Sequence, residues 1–287
     1  MSTDHSPEPA APHTLLADAR TEPLDDLALH LLDESEGQVA VIELALPEKR
    51  NAMSAGMTAS WVEAVQRLRS EPDLRAVVVT GRGSAFCAGG QLDWISSEPD
   101  ASVATLRSRM QAFYSDWLSI GQLEVPTIAA INGHAIGAGL AVALACDLRV
   151  ASETAKLAMP FTQLGLHPGM ASTWLLPQTV GMAVARDLLL TGRSVRGSEA
   201  LRLGLASRVV SAQEVLAEAL TMARGIAATA PVAAQLTTVA LRDGGHDSLA
   251  DCLQWESLAQ GVTLATQDLQ EGIAAASERR VPRFTGQ

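Results

Sequence analysis

The sequence predicts an α/β protein in which a mostly parallel sheet is covered by helices and is followed by a C-terminal α-helical region. Between about residues 25 and 170, β-rich runs alternate with helical patterns, and such alternation implies crossover connections between parallel strands. From about residue 180 to 287 only helical patterns occur, separated by glycine and proline. A chain of 287 residues that is 47% hydrophobic is long enough to bury a core of ordinary depth.

Hydrophobic periodicity places the individual elements. Ser54 is a predicted N-cap, and the residues after it carry apolar side chains at helical spacing. The predicted strands are 38–46, 75–80, 127–131, 147–152 and a short run at 156–159. The predicted helices are 55–70, 101–120, one that begins near 137, and then 182–190, 196–203, 213–228, 231–242 and 248–278.

The chain divides into three predicted parts. Residues 1–24 are acidic and rich in proline and alanine, which predicts a flexible N-terminal tail and not a secretory signal. Residues 25–210 form the predicted core, and residues 211–287 form the helical region, which is expected to support self-association and to close the pocket. Three cysteines cannot build a disulfide framework, so a cytoplasmic location is expected.

Charge restricts the classes of partner. The 21 basic and 32 acidic side chains give a net charge of −11, which argues against nucleic acid and anionic membranes as partners. Residues 127–146 are almost uncharged and have the length of a membrane span, but Asn132, Gly133 and His134 interrupt them. A buried strand, a turn and a buried helix explain this segment better, so no membrane insertion is predicted.

Two glycine-rich turns, 81–94 and 131–147, each follow a predicted strand. Facing each other, such turns aim two unpaired backbone N–H groups at one oxygen atom, as an oxyanion hole requires. Tight turns and close helix–sheet packing are the alternative explanation for the glycines. A dinucleotide fingerprint ranks lower, because Val142 stands where the third glycine of that pattern is needed.

Five segments in order resemble the crotonase (enoyl-CoA hydratase/isomerase) family. They span most of residues 38–210, and the helical tail that ends in ERRVPRF is also similar to the family. The segments are LPEKRNAM at 46–53, VVVTGRGSAFCAGGQL at 77–92, INGHAIGAGLAVALACDLRVAS at 131–152, LGLHPGM at 164–170 and LLLTGRSVRGSEALRLGLASRVV at 188–210.

This resemblance implies a crotonase (ClpP-like) spiral of ββα units, assembled as a homotrimer or a dimer of trimers. It also implies an acyl-CoA thioester as the ligand, in fatty-acid metabolism, with coenzyme A as part of the substrate and no prosthetic group or metal. The backbone N–H groups of Gly90 and Ala138 would hold the thioester oxygen. The resemblance assigns contacts with coenzyme A to Lys49, Arg50, Ala88, Gly89, Gly90, Gln91, Leu92 and Asp93. For at least one of Lys49 and Arg50, a solvated surface charge is the favoured alternative.

The chain departs from the family at both acid/base positions. In hydratases of the family one catalytic glutamate stands three residues after the second oxyanion residue, and here Ala141 occupies that position. The other glutamate follows the proline of a short strand, and here Phe161 follows Pro160. General acids and bases each contribute roughly 10²–10⁴ in rate, so the sequence predicts a protein that does not hydrate enoyl-CoA efficiently.

Other groups near the predicted acyl pocket leave two hypotheses open. His167 could act as a base in an isomerase, hydrolase or decarboxylase, or it could be a turn histidine bonded to backbone. Alternatively the chain is an acyl-CoA-binding protein without catalysis, in which Ala141 and Phe161 fill the water site. Six aromatic residues fall in the stretch that would wrap the acyl chain, with core packing as the alternative: Trp94, Phe113, Tyr114, Trp117, Phe161 and Trp174.

Overall fold

The computed structural model describes residues 14–242 and 248–287. The strands are β1 (Arg20–Leu24), β2 (Leu27–Glu34), β3 (Gly37–Leu44), β4 (Leu74–Gly81), β5 (Ala85–Cys87), β6 (Thr127–Ile131), β7 (His134–Ile136), β8 (Leu148–Ser152), β9 (Leu157–Ala158), β10 (Ser194–Val195) and β11 (Arg208–Val210). The α-helices are α1 (Ala55–Leu68), α2 (Leu92–Ile95), α3 (Val103–Trp117), α4 (Ala138–Ala145), α5 (Ser172–Thr191), α6 (Gly197–Arg202), α7 (Val215–Ala227), α8 (Pro231–Arg242), α9 (Leu249–Leu264) and α10 (Gln267–Glu278).

The strands form two sheets. The larger has the order β1-β2-β3-β4-β6-β8-β11 and is parallel from β3 onward. The smaller has the order β10-β9-β7-β5 and is parallel from β9 to β5. Each of the pairs β4–β5, β6–β7 and β8–β9 gives one strand to each sheet before the chain enters helices. This is the predicted spiral of ββα units, and it confirms the α/β class.

Both faces of the larger sheet are buried, which explains why its strands read as continuous apolar runs rather than as alternating patterns. On one face, Val39, Val41 and Val78 pack against α7. On the other face, Ile42 and Val79 belong to the main core with α1 and the residues of β5. Apolar packing therefore holds the small sheet against the larger one, and it fixes the position of the small sheet's strand ends relative to the larger sheet.

Several predicted elements are confirmed in type and bounds. The strand at Thr127–Ile131 and the helix at Pro231–Arg242 have the predicted limits. Ser54 caps α1 by accepting a hydrogen bond from the Met57 N–H at 2.9 Å. These signals are local, since a cap or a short β-rich run between turn residues needs no distant partner to be recognised.

Three expectations were wrong in detail. The tail predicted over 1–24 is ordered in its described part, because Arg20–Leu24 pairs antiparallel with β2; residues 1–13 lie outside the described residues. The helix predicted over 248–278 is two helices, since Thr266 caps α10 by accepting from the Leu269 N–H. The helix predicted over 182–190 is the second half of α5, which kinks at Gly181 where φ is +76°.

Within residues 14–242 and 248–287, no single helix has both the length and the apolar character needed to cross a membrane. Helices α7 and α8 satisfy those criteria only as a pair, and the chain bends by 114° between them.

Candidate functional site

The two glycine-rich turns meet at one edge of the small sheet. Strands β5 and β7 are parallel neighbours, so the segments that leave their carboxyl ends emerge side by side. A β-carbon added to Gly89 would lie 2.7 Å from the Ile136 carbonyl oxygen and 3.3 Å from the Ala138 nitrogen. A β-carbon on Gly139 would lie 2.3 Å from the Cys87 carbonyl oxygen. The two turns are therefore packed so closely that no side chain larger than glycine fits at residues 89 and 139.

Gly90 and Ala138 line one cavity of about 140 Å³. Helix α3, the segment after Pro160 and the loop before α5 supply the other walls. The lining residues are Ala88, Gly89, Gly90, Leu92, Trp94, Ile95, Met110, Phe113, Tyr114, Ile136, Gly137, Ala138, Pro160, Phe161, Leu164, Leu166, His167, Gly169 and Met170. Within the described chain this lining contains no carboxylate.

The amide groups of Gly90 and Ala138 are available to a ligand. Ala138 is the first residue of α4, so its N–H has no acceptor inside the helix. Across residues 14–242 and 248–287, neither amide donates a hydrogen bond to another backbone or side-chain group. The positive end of the α4 dipole adds to the donor strength at Ala138. Two unpaired donors at one cavity are suited to an oxygen atom that gains negative charge.

The loop before α1 holds the first turn in place. Asn51 is fully buried, and its side-chain oxygen accepts from the Leu46 N–H at 2.9 Å while its amide donates to the Ala85 carbonyl at 2.8 Å. The Arg50 carbonyl accepts from the Ala88 N–H at 3.0 Å. Sequence reasoning missed Asn51, although it lies within the LPEKRNAM segment on which the family resemblance partly rests.

A buried ionic cluster supports the same turn from behind. Glu43 lies on β3 with its carboxylate 3.3 Å from His30 Nε2 and hydrogen-bonded to the Arg82 guanidinium. Burial raises the pKa of Glu43, but hydrogen bonds and charge from His30 and Arg82 outweigh it and lower that pKa to about 2. The Arg82 carbonyl in turn accepts from Asn51 at 3.0 Å. The cluster therefore links the sheet to the start of the first turn.

The two positions where the family has glutamates are placed differently. Phe161 is half-buried and lines the cavity, and its ring lies 3.6 Å from where a β-carbon on Gly137 would stand. Ala141 is fully buried inside α4 and does not line the cavity. Of these two positions, Phe161 lines the cavity that contains the two amides and Ala141 does not.

His167 lines the cavity and is otherwise exposed. Its Nδ1 lies 2.8 Å from the Pro168 carbonyl oxygen, which can only accept, so Nδ1 carries the proton in that contact. In the neutral ring this leaves Nε2 unprotonated. The turn-histidine hydrogen bond and the candidate base are therefore compatible, because each uses a different ring nitrogen.

The residues assigned to coenzyme A fall into two groups. Ala88, Gly89 and Leu92 line the cavity with Gly90. Lys49, Arg50 and Asp93 are exposed outside it, and Gln91 is half-buried at the N-terminus of α2. The second group is therefore available to a long ligand that extends out of the cavity.

The aromatic lining is smaller than the sequence suggested. Trp94, Phe113, Tyr114 and Phe161 line the cavity. Trp117 is instead buried in a stack with Trp61 whose ring centroids are 4.9 Å apart, and Trp174 is exposed on α5. Core packing and helix orientation, which the sequence does not show, separate these two residues from the others.

Among the residues that the structure describes, the thiol that adjoins the first turn belongs to Cys87 and is not a reactive nucleophile. Cys87 ends β5 directly before the first turn, and its side chain donates to the Asn51 carbonyl at 3.0 Å. Burial raises the pKa of the Cys87 thiol to about 12, so it stays protonated at neutral pH.

Comparisons with known proteins identify the family and agree with the fold. A family model described as enoyl-CoA hydratase/isomerase matches residues 34–287. A probable enoyl-CoA hydratase of Mycobacterium bovis is 35% identical over 255 residues, covering 89% of this chain and 97% of the relative. The mitochondrial methylglutaconyl-CoA hydratase of Rattus norvegicus is 33% identical over 276 residues, covering 94% of this chain and 86% of the relative. The crystal structure of an enoyl-CoA hydratase from Bacillus anthracis superposes with a TM-score of 0.84 at 31% sequence identity. The match covers 92% of this chain and 100% of that structure.

Proposed function

Because the chain belongs to the enoyl-CoA hydratase/isomerase family, we propose that it binds an acyl-CoA thioester and polarises its carbonyl through the N–H groups of Gly90 and Ala138. The observation that carries this proposal is the meeting of two unpaired amides at one apolar cavity. Such donors stabilise the negative charge that develops on the thioester oxygen when an enolate forms. Lys49 and Arg50 are exposed beside the first turn and would pair with phosphates of coenzyme A.

The same cavity argues against efficient hydration. Addition of water across a double bond needs a base that takes a proton from water and an acid that gives one to carbon. The described lining has no carboxylate, and Phe161 occupies the space beside Gly137 where such a group would be needed. We therefore propose an acyl-CoA enzyme or binding protein in which polarisation of the thioester is retained and hydration is weak.

Purified protein is expected to bind butyryl-CoA yet to hydrate crotonyl-CoA at least about 10³-fold more slowly than a family member that has both glutamates. Calorimetry measures the binding, and loss of enoyl-thioester absorbance measures the hydration. A hydration rate equal to that of the glutamate-containing enzyme would refute the argument from the missing carboxylates. Absence of binding to any acyl-CoA would refute the proposed function as a whole.

A second candidate function is catalysis with His167 as the base. Its Nε2 would take a proton from the carbon next to the thioester carbonyl, the C–H bond would break, and its electron pair would move onto the thioester oxygen between the two amides. This step is shared by double-bond isomerisation and by exchange of the α-proton. The hydrogen bond from Nδ1 to the Pro168 carbonyl supports it, because it keeps Nε2 free to accept.

Substitution His167→Gln is expected to reduce exchange of the α-protons of butyryl-CoA for solvent deuterium by about 10²-fold or more, because glutamine hydrogen-bonds but is not a base. Proton NMR of the thioester measures the exchange. His134→Gln is the control, since His134 is also exposed but does not line the cavity. Unchanged exchange in His167→Gln would remove the base role, and no exchange in the unmodified protein would favour binding without catalysis.

Self-association is part of the proposal. Helix α9 has no buried residue within the single chain, although it is 16 residues long. Leu249, Leu253, Leu258 and Leu264 on this helix are exposed. Exposed apolar side chains on such a helix are typical of contacts between subunits, which supports self-association through residues 211–287. The homotrimer or dimer of trimers rests on the family resemblance. A cytoplasmic location and a place in fatty-acid metabolism stay predictions.

A further inference from the structure

Tyr114 brings a hydroxyl group into the cavity that holds Gly90 and Ala138. It lies on α3 and is half-buried, with its ring 6.3 Å from the Phe113 ring in an edge-on arrangement. A β-carbon on Gly169 would lie 2.4 Å from the Tyr114 oxygen and 2.9 Å from Cζ. The absence of a side chain at residue 169 therefore makes the space that the hydroxyl occupies.

This hydroxyl has no hydrogen-bond partner among residues 14–242 and 248–287. The carbonyl oxygen of Gly169, the residue that faces this hydroxyl, already accepts from the Ser172 N–H at 3.0 Å and from the Ser172 hydroxyl at 2.5 Å. A hydroxyl that lines a largely apolar cavity and has no partner in the protein is available to donate to an acceptor on a ligand.

The hydroxyl is a donor at neutral pH. Burial raises the pKa of Tyr114 above its ordinary value of 10, so the group stays protonated. Tyr114 would therefore recognise a hydrogen-bond acceptor on the ligand.

The size of the cavity limits the ligand. Its volume of about 140 Å³ is close to that of an engineered apolar cavity of about 150 Å³ that holds benzene. This space holds the thioester with a short acyl group, whereas a long hydrocarbon chain would extend beyond it.

We propose that Tyr114 is a specificity-determining residue that donates a hydrogen bond to an oxygen carried by the acyl group itself, so that the ligand is a short acyl-CoA with a hydroxyl, oxo or carboxylate oxygen. This rests on the proposed function, because the two amides hold the thioester oxygen and leave Tyr114 for a second one. Only a ligand that carries that second oxygen satisfies all three donors.

Calorimetry with butyryl-CoA and 3-hydroxybutyryl-CoA tests this assignment. The unmodified protein is expected to bind the hydroxylated thioester more tightly. Tyr114→Phe, which removes a single oxygen atom, is expected to weaken binding of that ligand about 3- to 10-fold, the value of one hydrogen bond, and to leave butyryl-CoA unchanged. Gly169→Ala is also expected to weaken binding of 3-hydroxybutyryl-CoA, because its β-carbon would lie 2.4 Å from the Tyr114 oxygen and would displace it.

The two proposals fail in different ways. Equal weakening of both ligands by Tyr114→Phe would show that Tyr114 holds the thioester oxygen or the fold, and no weakening of either would show that it does not touch the ligand. Both results overturn the assignment and leave the proposed function standing. Failure of the unmodified protein to bind either thioester would overturn the proposed function.

A spectroscopic measurement separates recognition from a structural role. Tyr114 is the single tyrosine among 287 residues, so the absorbance of tyrosinate reports on this group alone. Bound 3-hydroxybutyryl-CoA is expected to raise the pKa of Tyr114 more than bound butyryl-CoA does, because a donated hydrogen bond favours the protonated form. Equal pKa values in the two complexes would contradict the proposal.

Discussion

Replacement of Phe161 by glutamate is expected to raise the rate of crotonyl-CoA hydration by about 10²-fold. Phe161 lines the cavity, and its ring lies against Gly137 at the start of α4. A carboxylate at this position would stand beside the two amides and would accept a proton from water. Its apolar surroundings would also raise its pKa toward neutrality, where a general base and acid is most effective.

Phe161→Gln is the matched control for this substitution. Glutamine has the size of glutamate and opens the cavity to water equally, but it cannot transfer a proton. Hydration is therefore expected to rise only in Phe161→Glu. An equal rise in both variants would assign the effect to water entry, and no rise in a folded variant that binds butyryl-CoA would show that residue 161 does not face the reacting carbons.

Ala138→Pro is expected to slow exchange of the α-protons of butyryl-CoA by about 10²–10³-fold, because it deletes one of the two N–H donors. Ala138 is the first residue of α4, and proline is well tolerated at that helical position. The substitution therefore leaves the start of the helix in place, while it replaces the hydrogen on this nitrogen with a ring carbon. Deuterium exchange measured by NMR gives the rate, and thermal unfolding checks that the variant is folded.

Ala138→Gly provides the comparison, since it keeps the N–H and removes only a methyl group. Its exchange rate is expected to stay within about threefold of the unmodified protein, while the free energy of unfolding falls by less than about 1 kcal/mol, the cost of glycine in a helix interior. If Ala138→Pro folds and exchanges at the unmodified rate, the Ala138 amide is not a donor to the thioester. Slow exchange in both variants would point instead to the side chain.

Local sequence patterns were sufficient to predict those elements whose signal lies within one segment of the chain. The strand at 127–131, the helix at 231–242 and the Ser54 cap needed no knowledge of distant residues. Strands β5 and β7 were missed because each has only three residues and lies inside a glycine-rich segment. These two short strands bring the turns together, since their pairing is what sets Gly89 beside Ala138.

The family positions show a similar division. The sequence alone reveals that Ala141 and Phe161 stand where the related hydratases have glutamates, since only residue order is needed for that comparison. It treats the two positions as equivalent. The structure separates them, because α4 turns Ala141 into the protein interior while the segment after Pro160 brings Phe161 to the cavity wall.

The sequence by itself determined the α/β class, the two glycine-rich turns, the family resemblance and the lack of carboxylates at two positions, all of which follow from residue identity and spacing. Only the tertiary structure decided which side chains share the cavity. It brought Tyr114 on α3 and His167 in the loop before α5 to the same two amides, and it placed Trp117 and Trp174 elsewhere. The physical reason is that contacts between segments far apart in the chain depend on how helices pack on the sheets, which local periodicity does not encode.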